Sequence, residues 1–146
     1  MHSSDIVDVL LDQHDRIRQL CAVVEHSDGA ARKRHFTELS RLVRVHELAD
    51  RRIVHPAARN ANPAGDAIGV ACMTEEDQIN QAFTGMAALG VGHGTFDVRF
   101  AAAHAAVLHH TQHEERDEFP LLRRYVGTQR LHMMASELHD MQAMVD

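Results

Sequence analysis

The stretch VHELADRRIVHPAAR, residues 45–59, places His46 and Asp50 one helical turn apart and continues to Pro56. The stretch HHTQHEERDEFPLLR, residues 109–123, has the same layout, and its corresponding residues are His110, Glu114 and Pro120. Side chains at positions i and i+4 of a helix lie on one side, about 6 Å apart along the axis. Each stretch can therefore direct an imidazole and a carboxylate toward one point.

Composition favours a single all-α domain spanning residues 1–146. Hydrophobic residues make up 45% of the 146-residue chain, but aromatic residues only 4%. Ala, Leu, Val and Met supply most of the rest, which suits helices better than sheets. A chain of this length can bury one sizeable core.

Loop-type residues divide the chain at 26–31, 60–66, 90–95 and 126–128. Between them, apolar residues recur at steps of three and four, the period of amphipathic helices. Short loops make neighbouring helices antiparallel. We therefore expect an up-down-up-down four-helix bundle, with a short fifth helix over about 129–144. Prolines 56 and 120 are expected to disturb or end their helices.

The charge of the chain argues against two classes of partner. A formal charge of −6 without a Lys/Arg cluster argues against a general affinity for nucleic acid or for an anionic membrane. No apolar run is long enough to span a membrane, and the first residues do not resemble a signal peptide. We expect a cytoplasmic protein in which Cys21 and Cys72 are reduced thiols.

Each of the four apolar stripes is interrupted by metal-capable side chains. They are His14, His46, Asp50, Glu76, His110 and Glu114. Isolated polar groups of this kind are costly to bury unless they are paired or bound to a metal. Two His-carboxylate pairs, with one further ligand from each remaining helix, predict a dinuclear site inside the bundle.

Less specific interpretations remain for single residues. A lone His such as His14 is more often a hydrogen-bonded core residue than a ligand, and His-x-x-x-acid pairs occur by chance in a chain with 13 histidines. His109 and His113 also form an i, i+4 pair, but the stripe through Phe100 and Val107 selects His110. Gly69 and a possible cap at Thr74 leave the start of the third helix, and thus the direction of Glu76, open.

At these residues the sequence resembles the hemerythrin-like, or HHE cation-binding, domains over about residues 5–125. The matching elements are QHDRIRQL, HELADRRIVHP, TEEDQI and HTQHEERDEFP. The resemblance implies a four-helix bundle that holds two iron ions, oxo- or hydroxo-bridged, with His and bridging carboxylate ligands.

Two departures from the family pattern concern the metal ligands. Asp50 stands where the family usually has Glu, and Glu76 stands where a His of the third helix is expected. The ligand set could be completed by Cys72, Asn80, Glu118 or water. More carboxylate ligands favour Fe(III) over Fe(II) and also admit Mn or Zn.

The resulting hypothesis is a non-haem di-iron protein that reacts with or senses O2, peroxide or NO, with weak peroxidase or catalase-like activity, rather than an O2 carrier. A ferritin-like iron oxidase or store is an alternative, although the Glu-x-x-His pairs typical of that class are missing from the sequence. The second alternative is a metal-free helical interaction module. The oligomeric state is left open.

Overall fold

The computed structural model describes residues 4–145, and this part of the chain contains helices joined by turns and no β-strand. Residues 1–3 and 146 of the expected domain lie outside the described residues. The α-helices are α1 (Ile6–Glu25), α2 (Gly29–Ala49), α3 (His55–Ala61), α4 (Pro63–Leu89), α5 (Phe96–His113), α6 (Phe119–Tyr125) and α7 (Thr128–Val145). Two π-helical turns, Asp50–Val54 and Glu114–Glu118, join α2 to α3 and α5 to α6.

Four rods form the bundle: α1, α2 with α3, α4, and α5 with α6. Neighbouring rods run antiparallel because short turns connect them, and α7 packs against α1 and α2. The predicted all-α bundle with an additional C-terminal helix is confirmed, and α7 covers the range expected for it. None of the helices within residues 4–145 is both long and apolar enough to cross a membrane.

Neither of the two prolines expected to disturb the helices ends its rod. Proline has no N–H, and its ring clashes with the carbonyl four residues earlier. Before Pro56, the N–H of His55 reaches back five residues to the carbonyl of Asp50. Before Pro120, the N–H of Phe119 reaches Glu114 in the same way. The wider turn admits one extra residue, which rotates the following side chains by about 100° relative to a continuous α-helix.

The prediction of a loop at 60–66 is wrong, because only Asn62 separates α3 from α4. The Asn62 side chain accepts a hydrogen bond of 2.7 Å from the N–H of Gly65 and so caps α4. Gly65 is required by close packing, since a Cβ there would lie 2.1 Å from the carbonyl oxygen of Ala58. Thr74 caps nothing; its hydroxyl bonds to the carbonyl of Val70 within α4.

Two apolar clusters fill the bundle, one toward each end. One contains four phenylalanines: Phe36, Phe83, Phe96 and Phe100. The other lies beneath α7 and includes Leu10, Val54, Phe119, Leu122 and Met134. Along α1, for example, Leu10 belongs to the second cluster and Ile17 to the first, with His14 between them. The polar side chains thus form a layer between two dry regions.

Candidate metal centre

The structure brings all six sequence-predicted ligands into this layer. Each is buried, with at most 3% of its surface exposed; they are His14, His46, Asp50, Glu76, His110 and Glu114. They come from four rods, and each lies on the stripe that the helical period assigned to it. Their placement together is therefore a geometric fact, whereas their binding of a metal is still a prediction.

One half of the layer is centred on two imidazoles. The Nε2 atoms of His14 and His46 are 3.1 Å apart. An Oε1 atom of Glu114 lies 3.4 Å from the first and 3.8 Å from the second. Asp50 Oδ2 is 3.3 Å from His46 Nε2. Three helical rods thus point nitrogen and oxygen donors at a common volume.

The other half is centred on His110. Its Nε2 atom lies 3.0 Å from Glu114 Oε1 and 3.3 Å from Glu76 Oε2. Single ligand atoms from Asp50, Glu76, His110 and Glu114 all fall within 4.8 Å of one another. Glu114 therefore belongs to both halves, and Asp50, which lies close to His46, also faces the second half. Each of these two carboxylates therefore faces donors of both halves.

His55 joins the second half, and sequence reasoning missed it. The side chain is fully buried, with Nε2 2.9 Å from Glu76 Oε1 and Nδ1 2.7 Å from Glu118 Oε2. In a continuous α-helix His55 would lie about 180° around the axis from His46. The π turn removes about 100° of that separation and brings the ring inward. The available signal was its position directly before Pro56, which matches Phe119 before Pro120.

The structure distinguishes the residues that were considered to complete the ligand set. Glu118 lies inside the layer: one of its oxygen atoms accepts from His55, and it groups with Glu114. The thiol of Cys72 lies beside Glu75 and His110 and approaches His113 Nδ1 at 3.9 Å. Asn80 is only partly buried. Glu76 points inward because α4 begins at Pro63, well before Thr74.

Three of the inward-facing imidazoles donate a hydrogen bond from Nδ1, the ring nitrogen that faces away from the layer. Gln13 Oε1 lies 2.8 Å from His46, Glu115 Oε2 2.7 Å from His14, and Glu75 Oε1 2.7 Å from His110. Each contact holds a proton on Nδ1, so the inward-facing Nε2 is the nitrogen available to a metal ion. This is the usual support of a metal-binding histidine.

Burial and neighbouring charges shift the pKa values of the ionisable groups in the layer. Burial lowers the pKa of His46, but Asp50 and Glu114 outweigh it and raise that pKa to about 10. His55 behaves similarly: its hydrogen bonds to Glu118 and Glu76 overcome burial and raise its pKa to about 11. Burial and the neighbouring charge of Glu114 raise the pKa of Asp50. Protons thus take the place of cations among these carboxylates when no metal is bound.

Several buried atoms of the layer have no hydrogen-bond partner among the described residues. They include both oxygens of Asp50, both oxygens of Glu114, Glu76 Oε2, Glu118 Oε1 and His110 Nε2. Unpaired buried carboxylate oxygens cost free energy that cation binding would offset. The Nε2 atoms of His14 and His46 lie 3.1 Å apart, a contact that needs either a proton on one of the two nitrogens or a cation shared by both. The residues present therefore fit a metal centre.

Comparison with known proteins agrees with this geometry. Residues 5–122 match the family model described as the hemerythrin HHE cation binding domain. No curated protein matches the chain. The crystal structure of a hemerythrin HHE cation binding domain-containing protein from Mycobacterium kansasii is similar, with a TM-score of 0.82 and 16% identity over 96% of this chain and 88% of that one. At that identity the structural likeness establishes the fold alone. Because the family model spans most of the chain, this protein belongs to the hemerythrin HHE cation-binding domain family.

Proposed function

We propose that this chain is a non-haem di-iron protein whose centre senses or reacts with O2, NO or peroxide, rather than carrying O2 reversibly. The observation that carries the proposal is the layer of eight buried donors. The six predicted residues are joined by His55 and Glu118. Unpaired carboxylate oxygens and inward imidazole nitrogens converge there from all four rods.

The donor arrangement supports two ions rather than one. His14 and His46 serve one half, while His110 and Glu76 serve the other. Glu114 Oε1 lies within 3.8 Å of three imidazole nitrogens from both halves, so it is the natural bridge. Eight donors exceed what a single first-row ion takes, and paired carboxylates and histidines on facing helices are typical of dinuclear bundle sites.

Ligand chemistry supports redox reactions over reversible carriage. With Glu118, the layer contains four carboxylates beside four imidazoles, so two Fe(II) ions would be balanced in charge without a hydroxide. Such an oxygen-rich, anionic set stabilises the higher oxidation state of iron and also accepts Mn or Zn. When bound, iron would supply electron transfer to a small oxidant, and the chain would supply a dry enclosure and fixed donors.

Burial limits the size of the ligand. None of the eight donors exposes more than 3% of its surface, and apolar clusters close the layer on both sides. A diatomic molecule or peroxide can enter such a volume, whereas a larger substrate would require the bundle to open. Weak peroxidase or catalase-like activity is the enzymatic form of this proposal, and a cytoplasmic location is a further part of it.

Metal analysis combined with absorption spectroscopy tests the proposal. Protein purified with and without oxygen is expected to contain about two iron ions per chain and to show iron charge-transfer bands that change on adding peroxide, azide or NO. His110→Ala should lose metal, and the exposed His139→Ala is the matched control. One ion or fewer at full reconstitution would overturn the dinuclear assignment. Unchanged stability after chelation would instead favour the metal-free helical module.

A further inference from the structure

A second group of donors lies outside the buried layer, between α4 and α5. This satellite cluster consists of Cys72, Glu75, His109 and His113. On α4, Cys72 and Glu75 are three residues apart, and on α5 the two histidines are four apart, so each pair lies on one side of its helix. The cluster runs from the buried thiol to His109, which is 73% exposed.

The donor atoms of the satellite cluster are already close together. His113 Nδ1 lies 2.9 Å from Glu75 Oε2 and 3.9 Å from Cys72 Sγ. His109 Nε2 is 3.5 Å from the same Glu75 oxygen. Ligands of a tetrahedral zinc ion, with bond lengths near 2.0–2.3 Å, are separated from one another by about 3.3–3.8 Å. The measured separations among Cys72, Glu75 and His113 are close to this range. The ring centroids of His109 and His113 are 6.3 Å apart, so the exposed His109 side chain would rotate toward the other donors on binding.

We propose that the satellite cluster binds a single Zn²⁺ or a similar divalent ion, independently of the buried centre. One thiolate, one carboxylate and two imidazoles form the mixed sulfur, oxygen and nitrogen set that zinc accepts. Binding replaces the thiol proton of Cys72, which is released to solvent. The partial exposure of Glu75 and His113 opens a route for the ion from the surface.

Carboxylates near both ring nitrogens orient the imidazole of His113, as is usual for a metal-binding histidine. Its Nδ1 faces Glu75 and the thiol, while its Nε2 lies 3.4 Å from Asp117 Oδ2. A carboxylate behind the non-ligating nitrogen orients the ring and strengthens it as a donor. The imidazole of His14 in the buried layer has the same kind of support from Glu115. A purely structural thiol would need no such set of neighbours.

Glu75 connects the satellite cluster to the buried layer. Its Oε1 atom faces His110 Nδ1, while its Oε2 atom faces His113 and His109. An ion in the satellite cluster would draw electron density from this carboxylate and weaken its support of His110. Occupancy of the outer site would thereby tune the inner centre, although neither site requires the other in order to form.

Co²⁺ is the probe, because a cobalt-thiolate bond has a near-ultraviolet charge-transfer band that nitrogen and oxygen ligands do not produce. Protein with its own metal content measured is titrated with Co²⁺ without oxygen. We expect a thiolate band that saturates at one equivalent and is bleached by Zn²⁺. Cys72→Ser should abolish it, and Cys21→Ser, which removes the other buried thiol, should leave it intact. His113→Gln should weaken Co²⁺ binding at least about tenfold.

The outcomes separate this site from the buried centre. A Co²⁺ affinity unchanged by His113→Gln would mean that Cys72 binds an ion of the inner layer, and the proposal would be overturned. Absence of the band in the unaltered protein, or its persistence in Cys72→Ser, would do the same. His109→Gln changes an exposed side chain and leaves folding intact, so a wild-type affinity there would remove His109 from the ligand set. Failure of the di-iron proposal would appear separately, as a low metal content before cobalt is added.

Discussion

The rod formed by α2 and α3 and the rod formed by α5 and α6 share one plan, and they differ most at the residue before the proline. In both, a His is followed by a carboxylate, a π turn and a proline. The residue before the proline is His55 in the first rod and Phe119 in the second. Phe119 stacks on His14, with ring centroids 5.3 Å apart, whereas His55 binds two carboxylates.

This difference shows that the repeated backbone plan and the ligand set are separate properties. The π turn directs the residue before each proline into the bundle, whatever that residue is. Phe119 extends the apolar cluster beneath α7 and closes one side of the layer. His55 brings an imidazole to Glu76, in the half where α4 supplies no histidine. A small change of side chain thus converts a packing position into a polar one.

The largest effect is expected from the carboxylates that begin the two π turns. Glu114→Ala removes the oxygen that approaches three imidazoles, so metal content should fall below one ion per chain. The remaining uncompensated groups should cost about 3–5 kcal/mol of stability. Asp50→Ala should be milder, because Asp50 approaches one imidazole closely, that of His46, whereas Glu114 approaches three. Elemental analysis and denaturant unfolding of both variants measure the difference; equal losses would contradict a central role for Glu114.

His55→Phe makes the first rod a copy of the second. It leaves Glu76 and Glu118 without their shared partner, and each unpaired buried carboxylate should cost about 1–3 kcal/mol. We expect one of the two ions to be lost. Phe119→Leu is the matched control and should cost about 1–2 kcal/mol through packing alone, with metal retained. If both variants kept the full metal content, His55 would not be a ligand.

The pH dependence of stability should be opposite with and without metal. Without metal, folding raises the pKa of His46 from 6.5 to about 10 and that of His55 to about 11. Their stabilisation is complete below pH 6.5 and is lost as pH rises toward those values. Burial, with the charge of Glu76, raises the pKa of Glu47 from 4.5 to about 8, so this group also destabilises the fold as the pH rises from 4.5 to 8.

From pH 6.5 to 8 the metal-free protein should therefore lose roughly 4 °C or more in Tm. The metal-loaded protein should be unchanged or gain stability, because its ligands bind in their deprotonated forms. Calorimetry of both forms in the same buffers makes the comparison. Parallel curves would indicate that the titrating groups do not contact the ions.

The smallest effect concerns the support of His46 by α7. Gln142 Oε1 accepts from Gln13 Nε2 at 3.0 Å, and Gln13 Oε1 faces His46 Nδ1. Gln142→Ala should loosen this arrangement and weaken metal retention by up to about tenfold without unfolding the chain. His110, which is supported by Glu75 from within the bundle, should be unaffected. Competition with a chelator measures the loss; no change would show that Gln13 holds His46 unaided.

Much of the fold was predictable from local pattern. The helical period placed His14, His46, Glu76 and His110 on buried stripes, and the structure brings them together. The prediction of a loop at 60–66 was wrong. Asn62 is the one residue between α3 and α4, and Gly65 allows these two helices to pack closely. That close approach depends on two helices at once, which no single stretch of sequence reports.

The sequence by itself determined the helical class, the four stripes and the six donors on them, because these follow from residue type and a constant period of 3.6 residues. Only the tertiary structure decided the positions of His55 and Glu118. A proline permits several local responses, and the π turn is the one that keeps each rod continuous while both of its ends pack in the bundle. The satellite cluster also required the structure, since its two helices meet only after the bundle has formed. The type of each side chain is fixed locally by the sequence, but the direction in which that side chain faces a neighbouring helix is set by how the backbone packs.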